Sequence, residues 1–435
     1  MAVSGGWRLL SLAVCGARVP GRSVPVRVFS SSSRVYSSDS FPSAQWRVSG
    51  GGAKACSPVG GAQRNLSAVA VALQGQRRPL SRCELLDLGS EEENTRRALT
   101  CKRLRRFIID PNLARLVTDH LSHDLEDTNA VIFEVNPGPG VLTRMLLNCG
   151  AQRVVALECD KSFLPDLQVL EGDLDGQLEV LHCDFFKLDP IGQGSMKLPA
   201  MYSNKLFSQL GITAVPWTSD VPVKVVGMFS QRNERNMLWK LVYALFERQS
   251  IFRYGRVELI MFISEKNYSR ITAREGKYRD YRALSVLFQM SCEVQLLHQV
   301  PWSSFLTTSK SKNGNVSKST TVPNDHMCLV RVTPRADLFS SGITQFNSST
   351  LMMMVKQCLI RRAAPLADKL NAWSPGCAAE LLLGAGLSEE VMVGDVSPDQ
   401  YRRLFELMEL SDQFSQSWLY TEILENTCKQ GYARE

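Results

Sequence analysis

The stretch 130–147 most narrowly limits what this chain can fold into. It begins as a short apolar run rich in β-branched residues that contains Glu134, breaks at 136–140 (Asn-Pro-Gly-Pro-Gly), and resumes as a helix-like apolar pattern from Val141. Glycines in such a turn let the backbone approach a ligand that any Cβ atom would exclude. The order strand, turn, helix therefore predicts the start of a nucleotide-binding α/β unit, with a plain tight strand-to-helix connection as the alternative.

Two further strand patterns end in acidic residues. The segment 153–160 carries Glu158, about twenty positions after the turn, where a carboxylate can accept both hydroxyls of a ribose. The segment 178–184 ends in Asp184, at the position where class I methyltransferases bind the adenine amino group of S-adenosylmethionine (AdoMet). Three consecutive strand ends with these groups favour AdoMet over NAD.

The rest of the chain extends this pattern into a known fold class. We predict an α/β fold of the class I AdoMet-dependent methyltransferase type, a Rossmann-like seven-stranded sheet with an antiparallel tail hairpin, followed by a small C-terminal α-helical domain. A long excursion at 190–221 is expected to be an insertion, and 303–325 a flexible loop. Four more strands are expected at 222–229, 256–263, 293–300 and 327–332, and C-terminal helices at 349–360, 364–370, 376–385 and 398–410.

Charge is unevenly distributed along the 435 residues. The segment 1–82 holds eleven of the 50 Lys and Arg residues and one acid, Asp39, which leaves 39 basic against 42 acidic residues, or −3, in the remainder. An Arg- and Ser-rich start that is poor in acids is typical of an organelle transit peptide. We expect a transit peptide and linker at 1–60, a linker at 61–95, an AdoMet-binding domain at 96–335 and a helical domain at 336–435.

The segment 96–106 is the densest basic run in the body of the chain, with six Lys or Arg residues and no acid. It precedes Asp110-Pro111, a strong helix start because a capping carboxylate is followed by proline at the first helical position. Phosphate contact is one interpretation of the run, and an ordinary solvated face is the other. No apolar stretch reaches the length of a membrane span, so no membrane association is expected.

Twelve cysteines and five histidines are scattered without the spacing of zinc ligands. We expect no metal site.

Several motifs resemble one known family. The chain is similar to the rRNA adenine dimethyltransferases over roughly 96–410, and within them to the mitochondrial transcription factor B branch, type two in particular. The segments that carry the resemblance are FIIDPNLA, EVNPGPGVLT, ALECDKSF, HCDFFKLDP, VPWTSDVPVKVVGMF, PWSSF and KQCLIRRAAPLADKL.

The resemblance implies a set of AdoMet contacts. The first glycine of the family's turn is Asn136 here, and asparagine tolerates left-handed backbone better than other non-glycine residues. AdoMet is the expected cofactor. Because Asn136 replaces the first glycine of the turn, we expect AdoMet to bind more weakly than in the family. The implied cofactor-binding residues are Ile108, Glu134, Asn136, Gly138, Gly140, Glu158 and Asp184.

The catalytic motif departs further from the family. The dimethyltransferases carry Gly-Asn-Leu-Pro-Tyr after the fourth strand, where the asparagine orients the target adenine amine and an aromatic ring stacks on the flipped base. The matching positions here are 227–231, and they place Met228 and Phe229 in the motif. A thioether is a poor acceptor, and loss of such an orienting contact costs about 10²-fold in rate. We expect weak or absent dimethylation.

Two functions follow from the resemblance. The first is a factor in the nucleoid of the mitochondrial matrix that helps the mitochondrial RNA polymerase open promoter DNA, together with the HMG-box transcription factor A. The second is an active dimethyltransferase of two adjacent adenines in mitochondrial small-subunit rRNA. The nucleic-acid contacts expected for the first are Arg103, Arg105 and Arg106 before the first helix, Arg331 and Arg335 around the seventh strand, and Arg361 and Arg362 in the helical domain.

Overall fold

A seven-stranded sheet forms the centre of the molecule, as the sequence predicts. The computed structural model describes residues 85–126, 130–190, 196–229, 234–310, 316–318, 326–340 and 342–415, which all belong to the compact unit Ser67–Glu435. The expected transit peptide at 1–60, and most of the linker after it, lie outside the described residues. The strands are β1 (Arg105–Phe107), β2 (Val131–Val135), β3 (Val154–Glu158), β4 (Leu178–His182), β5 (Val223–Met228), β6 (Glu258–Ser264), β7 (Cys292–Pro301), β8 (Leu306–Lys310), β9 (Val316–Lys318) and β10 (His326–Pro334).

The strand order in the large sheet is β4-β3-β2-β5-β6-β10-β7. The strands from β4 to β6 run parallel, while β10 runs antiparallel to both β6 and β7. All five residues of β2 and of β3 are buried, as expected where helices cover both faces of a parallel sheet. This arrangement confirms the class I methyltransferase fold and aligns the carboxyl ends of β2, β3 and β4 along one edge.

Helices cover both faces of the sheet. A buried apolar cluster lies on each face, one around Phe133, Val225 and Phe246, the other around Ile132, Leu146 and Val226. Within the described ranges, none of the helices has an apolar run long enough to cross a lipid bilayer. The helices are α1 (Glu91–Ala98), α2 (Pro111–Asp119), α3 (Ser122–Glu126), α4 (Val141–Asn148), α5 (Leu164–Asp173), α6 (Ser203–Gln209), α7 (Glu234–Phe246), α8 (Glu265–Ile271), α9 (Ala283–Ser291), α10 (Ser348–Cys358), α11 (Leu366–Trp373), α12 (Ala378–Gly384), α13 (Pro398–Glu409) and α14 (Asp412–Ser415).

A second, three-stranded sheet, β1-β8-β9, was not predicted. Its central strand β8 lies within 303–325, for which a flexible loop was expected, and it pairs antiparallel with β1, so that Arg105 faces Thr308 and Phe107 faces Leu306. Phe107 and Leu306 are both buried. The expectation of a flexible loop is therefore wrong at 306–310 and at 316–318, because β8 pairs with β1, about 200 positions away, and with β9.

The end of the expected linker is also ordered. Helix α1 begins after Ser90, whose hydroxyl accepts a hydrogen bond from the Glu93 amide at 3.2 Å. Leu86 exchanges two backbone hydrogen bonds with the Asn148 side chain, at 2.7 and 3.0 Å. The last part of the expected linker, 85–95, is therefore folded against the rest of the unit. The helix start predicted at Asp110 is confirmed, since its carboxylate caps α2 by accepting from the Asn112 amide at 2.8 Å.

The described part of the expected insertion, 196–221, packs into the core. Helix α6 buries Phe207, whose ring stacks on Tyr254 with centroids 3.9 Å apart. The Trp217 indole is also buried and donates to the Arg335 carbonyl at 2.9 Å. The described residues 196–221 thus pack in the apolar cluster on one face of the sheet.

The C-terminal helices lie close to the expected ranges and share the apolar cluster on one face of the sheet. Tyr401 of α13 is buried in that cluster and donates to the Val393 carbonyl at 2.9 Å. Tyr281, which precedes α9, donates to the Val396 carbonyl at 2.6 Å. Core packing is therefore continuous between sheet and helices, and the domain boundary at 336 stays a prediction.

Candidate functional site at the carboxyl edge of the sheet

The turn after β2 has the left-handed conformation that a cofactor-binding turn requires. Asn136 has a φ of 57°, Gly138 of 64° and Gly140 of 82°. Asparagine is among the few non-glycine residues that adopt this region at low cost. The turn therefore forms although the family's first glycine is missing, and the Asn136 amide donates to the Leu157 carbonyl of the neighbouring strand at 2.8 Å.

Gly138 is required by the close approach of another strand. A Cβ atom at this position would lie 2.7 Å from the ring of Phe107, which is itself buried and packed on Phe163. The Gly138 amide donates to a carboxylate oxygen of Glu158 at 2.9 Å. The turn after β2, strand β1 and the end of β3 therefore pack tightly against one another.

Glu158 is completely buried and accepts four hydrogen bonds. Arg105 donates two of them, from Nη1 to Oε1 at 2.7 Å and from Nη2 to Oε2 at 2.8 Å. The backbone amides of Gly138 and Asp160 donate the other two, at 2.9 and 2.7 Å. The carboxylate predicted to receive a ribose diol is thus bound on both oxygens by the chain itself.

The Arg105 side chain makes further close contacts next to Glu158. Its Nη2 also donates to the Asn136 carbonyl at 2.6 Å, and its guanidinium lies 4.6 and 5.3 Å from the ring centroids of Phe107 and Phe163. Burial alone would lower the pKa of the guanidinium, but the facing Glu158 carboxylate raises it above its usual value. The expectation that Arg105 contacts nucleic acid is therefore corrected, because this side chain is an internal cation.

Glu134 at the end of β2 is buried, with 1% of its surface exposed, and its Oε2 atom has no hydrogen-bond partner. Burial raises the pKa of this carboxyl group to about 7. A buried acceptor without a partner at a strand end is suited to an amino group of a ligand. Ile108 follows β1 and belongs to the apolar cluster beneath this edge.

Asp184 lies at the third strand end and is buried, with 8% exposed. Its Oδ1 atom accepts from the Phe186 amide at 3.2 Å, and its Oδ2 atom lies 3.2 Å from the Lys187 ammonium group. Glu158 and Asp184 end adjacent parallel strands, because β3 and β4 pair with Glu158 opposite His182. The acids predicted from sequence are therefore brought to one edge.

Met228 and Phe229, which replace residues of the family's catalytic motif, lie at the carboxyl end of β5, the strand next to β2. Gly227 has a φ of 148°, and a Cβ atom there would lie 2.9 Å from the Val135 carbonyl oxygen, so the motif's glycine keeps a steric role. Met228 is half-buried against the apolar cluster that contains Val226. The ring of Phe229 is buried, 5.3 Å from that of Phe186. Phe229 is thus a core residue in this structure, and Ser230 and Gln231 lie outside the described residues.

Sequence reasoning missed a buried arginine–tryptophan contact beside this motif. The guanidinium of Arg106 lies 3.9 Å from the Trp302 ring centroid, and its Nη1 atom donates to the Met327 sulfur at 3.3 Å. Its Nε atom has no acceptor, and burial lowers its pKa to about 10. Arg106 is 5% exposed, so its assignment as a surface contact to nucleic acid is corrected as well.

The other expected nucleic-acid contacts fall into separate groups. Arg103 is exposed near the cofactor edge, where its carbonyl accepts from the Thr308 hydroxyl at 2.9 Å. Arg331 faces Ile260 across the strands, towards the amino end of β6, and Arg335 follows β10 on that side. Arg361, which is exposed, and the half-buried Arg362 lie between α10 and α11. The seven arginines therefore do not form one surface.

In the part of the chain that the structure describes, no group of three or more His, Cys, Asp or Glu side chains is placed to hold a metal ion. The sheet order and the three acidic strand ends define a class I methyltransferase fold. The model of the ribosomal RNA adenine dimethylase family matches residues 102–410. The chain belongs to the ribosomal RNA adenine dimethylase family.

The most similar relatives carry one shared name. The chain is 41% identical over 325 residues to the human dimethyladenosine transferase 2, mitochondrial, which covers 74% of this chain and 82% of that protein. It is 38% identical over 351 residues to the protein of the same name from Rattus norvegicus, covering 79% of this chain and 85% of the relative. A dimethyladenosine transferase structure from Plasmodium falciparum aligns with a TM-score of 0.45 at 14% identity, over 69% of this chain and 96% of that one.

The family assigns AdoMet as the cofactor of this chain. The left-handed turn, the unpartnered Glu134 oxygen and Asp184 fit that molecule, and when bound it supplies a transferable methyl group. Glu158 is the exception, because Arg105 already holds both of its oxygens. In this conformation the ribose end of the cofactor does not fit.

Proposed function

We propose that the chain is a mitochondrial transcription initiation factor that helps the mitochondrial RNA polymerase melt and engage promoter DNA, with weak or absent methyl transfer. The observation that carries the proposal is Met228 at the strand end where the family places an asparagine. The mitochondrial names of the relatives support the compartment. The resemblance to the type-two transcription factor B branch is what suggests the process.

The chemistry of residues 228 and 229 argues against efficient methyl transfer. Dimethylation requires the target amine to be held with its lone pair directed at the methyl donor, which an amide oxygen does and a thioether does poorly. The ring of Phe229 packs against Phe186 in the core instead of standing free to stack on a base. Without these two contacts a flipped adenine is neither oriented nor stacked at this edge.

Exposed cations beside the same edge suit a nucleic-acid backbone. Arg96, Lys102 and Arg103 of the basic run are exposed, whereas Arg105 and Arg106 are internal. A small number of phosphate contacts gives modest, salt-dependent affinity with little sequence preference. Productive binding therefore needs the polymerase and the HMG-box transcription factor A on the same promoter, in the nucleoid of the mitochondrial matrix.

A promoter-opening assay tests the proposal. The protein without its transit segment is added to mitochondrial RNA polymerase and the HMG-box factor on a promoter with 2-aminopurine near the start site, and fluorescence and run-off transcript are measured. We expect both to rise several-fold with the protein, and to the same extent with Met228→Ala, because the proposal gives the Met228 side chain no part in promoter opening. Equal opening and transcript without the protein would remove the initiation function.

The second candidate is an active dimethyltransferase of two adjacent adenines in mitochondrial small-subunit rRNA. Family membership, the intact left-handed turn and the unpartnered Glu134 favour it. Methyl transfer to an rRNA hairpin by the unaltered chain and by Met228→Asn separates the two functions. The initiation proposal expects the asparagine variant to exceed the unaltered chain, and the enzyme alternative expects robust turnover before any substitution.

A further inference from the structure

The Arg105 side chain occupies the position at Glu158 that is expected for the ribose of AdoMet. The Arg105 fork donates to both oxygens of Glu158, the carboxylate that ends β3. Arginine is suited to this contact because its planar guanidinium matches a carboxylate with two parallel hydrogen bonds. Glu158 is 0% exposed and Arg105 is 9% exposed, so solvent does not compete for the pair.

A ribose diol and Arg105 cannot share Glu158. An ionised carboxylate offers about four lone-pair sites. Two are taken by the backbone amides of Gly138 and Asp160, which also orient the group, and the other two by the guanidinium. A bound diol needs the positions that the guanidinium occupies, because the amides are fixed in the turn and at the strand end.

Surrounding contacts hold Arg105 in place. Its Nη2 atom also donates to the carbonyl of Asn136, so one group joins the turn after β2 to the end of β3. The rings of Phe107 and Phe163 flank it, and the backbone of β1 is paired with β8. Arg105 therefore holds the turn after β2 and the end of β3 together.

We propose that Arg105 acts as a built-in competitor for the ribose of AdoMet, so that the cofactor binds only when the Arg105 side chain leaves Glu158. The affinity of this chain for AdoMet is reduced by the fraction of molecules in which the pair is closed. The arrangement does not depend on the promoter role, because it concerns only β1, the turn after β2 and the end of β3.

Calorimetric titration of the full chain tests the competition. The probes are AdoMet, adenosine, and 2′,3′-dideoxyadenosine, which has the base but lacks the diol. We expect Arg105→Ala to bind AdoMet and adenosine about tenfold or more tighter than the unaltered chain. The affinity for dideoxyadenosine should rise less than twofold in Arg105→Ala, since this ligand has no diol to bind Glu158.

Two further variants keep the test decisive. Arg106→Gln removes the neighbouring buried arginine, which does not contact Glu158, and should leave both affinities within about twofold. Arg105→Lys retains the positive charge without the fork and should lie between the unaltered chain and Arg105→Ala, so it decides the question if the alanine variant does not fold. Equal or weaker adenosine binding by the folded Arg105 variants, or an equal gain for dideoxyadenosine, overturns the proposal.

Discussion

Arg105 and Glu158 form a two-pronged buried ion pair across 53 positions of sequence, with nitrogen–oxygen distances of 2.7 and 2.8 Å. The pair joins β1 to the carboxyl end of β3. It therefore links the small sheet β1-β8-β9 to the sheet edge at which the family's cofactor binds.

The losses of stability from removing the two partners of this pair should not add. Glu158→Ala leaves a buried guanidinium unpaired, and we expect it to lower the free energy of unfolding by about 3–5 kcal/mol. The double variant Arg105→Ala, Glu158→Ala should lose clearly less than the sum of the single losses, because no unpaired charge remains. Urea unfolding of the four proteins measures the coupling, and additive losses would show that the pair is not formed.

Glu134 should make stability depend on pH. Burial raises the pKa of this carboxyl group to about 7 from its ordinary 4.5. The folded protein thus holds the proton more tightly than the unfolded chain, so the stabilisation is complete below pH 4.5 and is lost as the pH rises through 7.

Glu134→Gln mimics the protonated group and should abolish this dependence. We expect the unfolding free energy of the variant, relative to the unaltered chain, to rise by about 2.5 kcal/mol between about pH 5 and about pH 8. Urea unfolding at the two pH values measures this difference. An unchanged difference would mean that Glu134 titrates at an ordinary pKa.

Gly138 should tolerate alanine less well than a glycine of equal backbone conformation. Gly138 and Gly211 both have a φ of 64°, but a Cβ atom meets Phe107 at 2.7 Å at the first position and nothing within 4 Å at the second. Gly211→Ala should cost about 1 kcal/mol for the conformation alone, and Gly138→Ala at least about 1 kcal/mol more for the displaced ring. Thermal or urea unfolding compares them, and equal losses would contradict the close approach of β1.

The basic run should contribute to nucleic-acid binding through its exposed members only. We expect the combined variant Lys102→Gln, Arg103→Gln to reduce the slope of log affinity against log salt for single-stranded DNA by about 1.4, or about 0.7 for each lost phosphate contact. Arg279→Gln, an exposed cation remote in sequence from the run, is the control and should leave the slope unchanged. A slope that stays the same in the combined variant would remove 102–103 from the contact surface.

The central sheet could be predicted from sequence because its strands are strongly patterned. All seven strands, the helix start at Asp110 and the turn at 136–140 are confirmed, since each depends on local periodicity or on a residue's own backbone preference. Glu134, Glu158 and Asp184 are brought to one edge as expected, because the ends of neighbouring parallel strands meet there.

The contacts of β1 could not be predicted in the same way. Arg105 and Arg106 lie in a charge run that is typical of a solvated surface, and their partners Glu158 and Trp302 are distant in sequence. One feature could have indicated burial, namely the apolar segment 107–109 that follows the two arginines directly. Successive side chains of a strand point to opposite faces, and both arginines are buried because both faces of β1 are covered.

Methyl transfer to a small-subunit rRNA hairpin with two adjacent adenines tests the central claim most directly, because it reports on the strand end where Met228 replaces asparagine. With saturating AdoMet and the unaltered chain, we predict that less than about one methyl group per hundred hairpins is transferred in the time a competent family member needs for completion. Conversion of both adenines to dimethyladenosine by the unaltered chain, over several turnovers, would contradict the account.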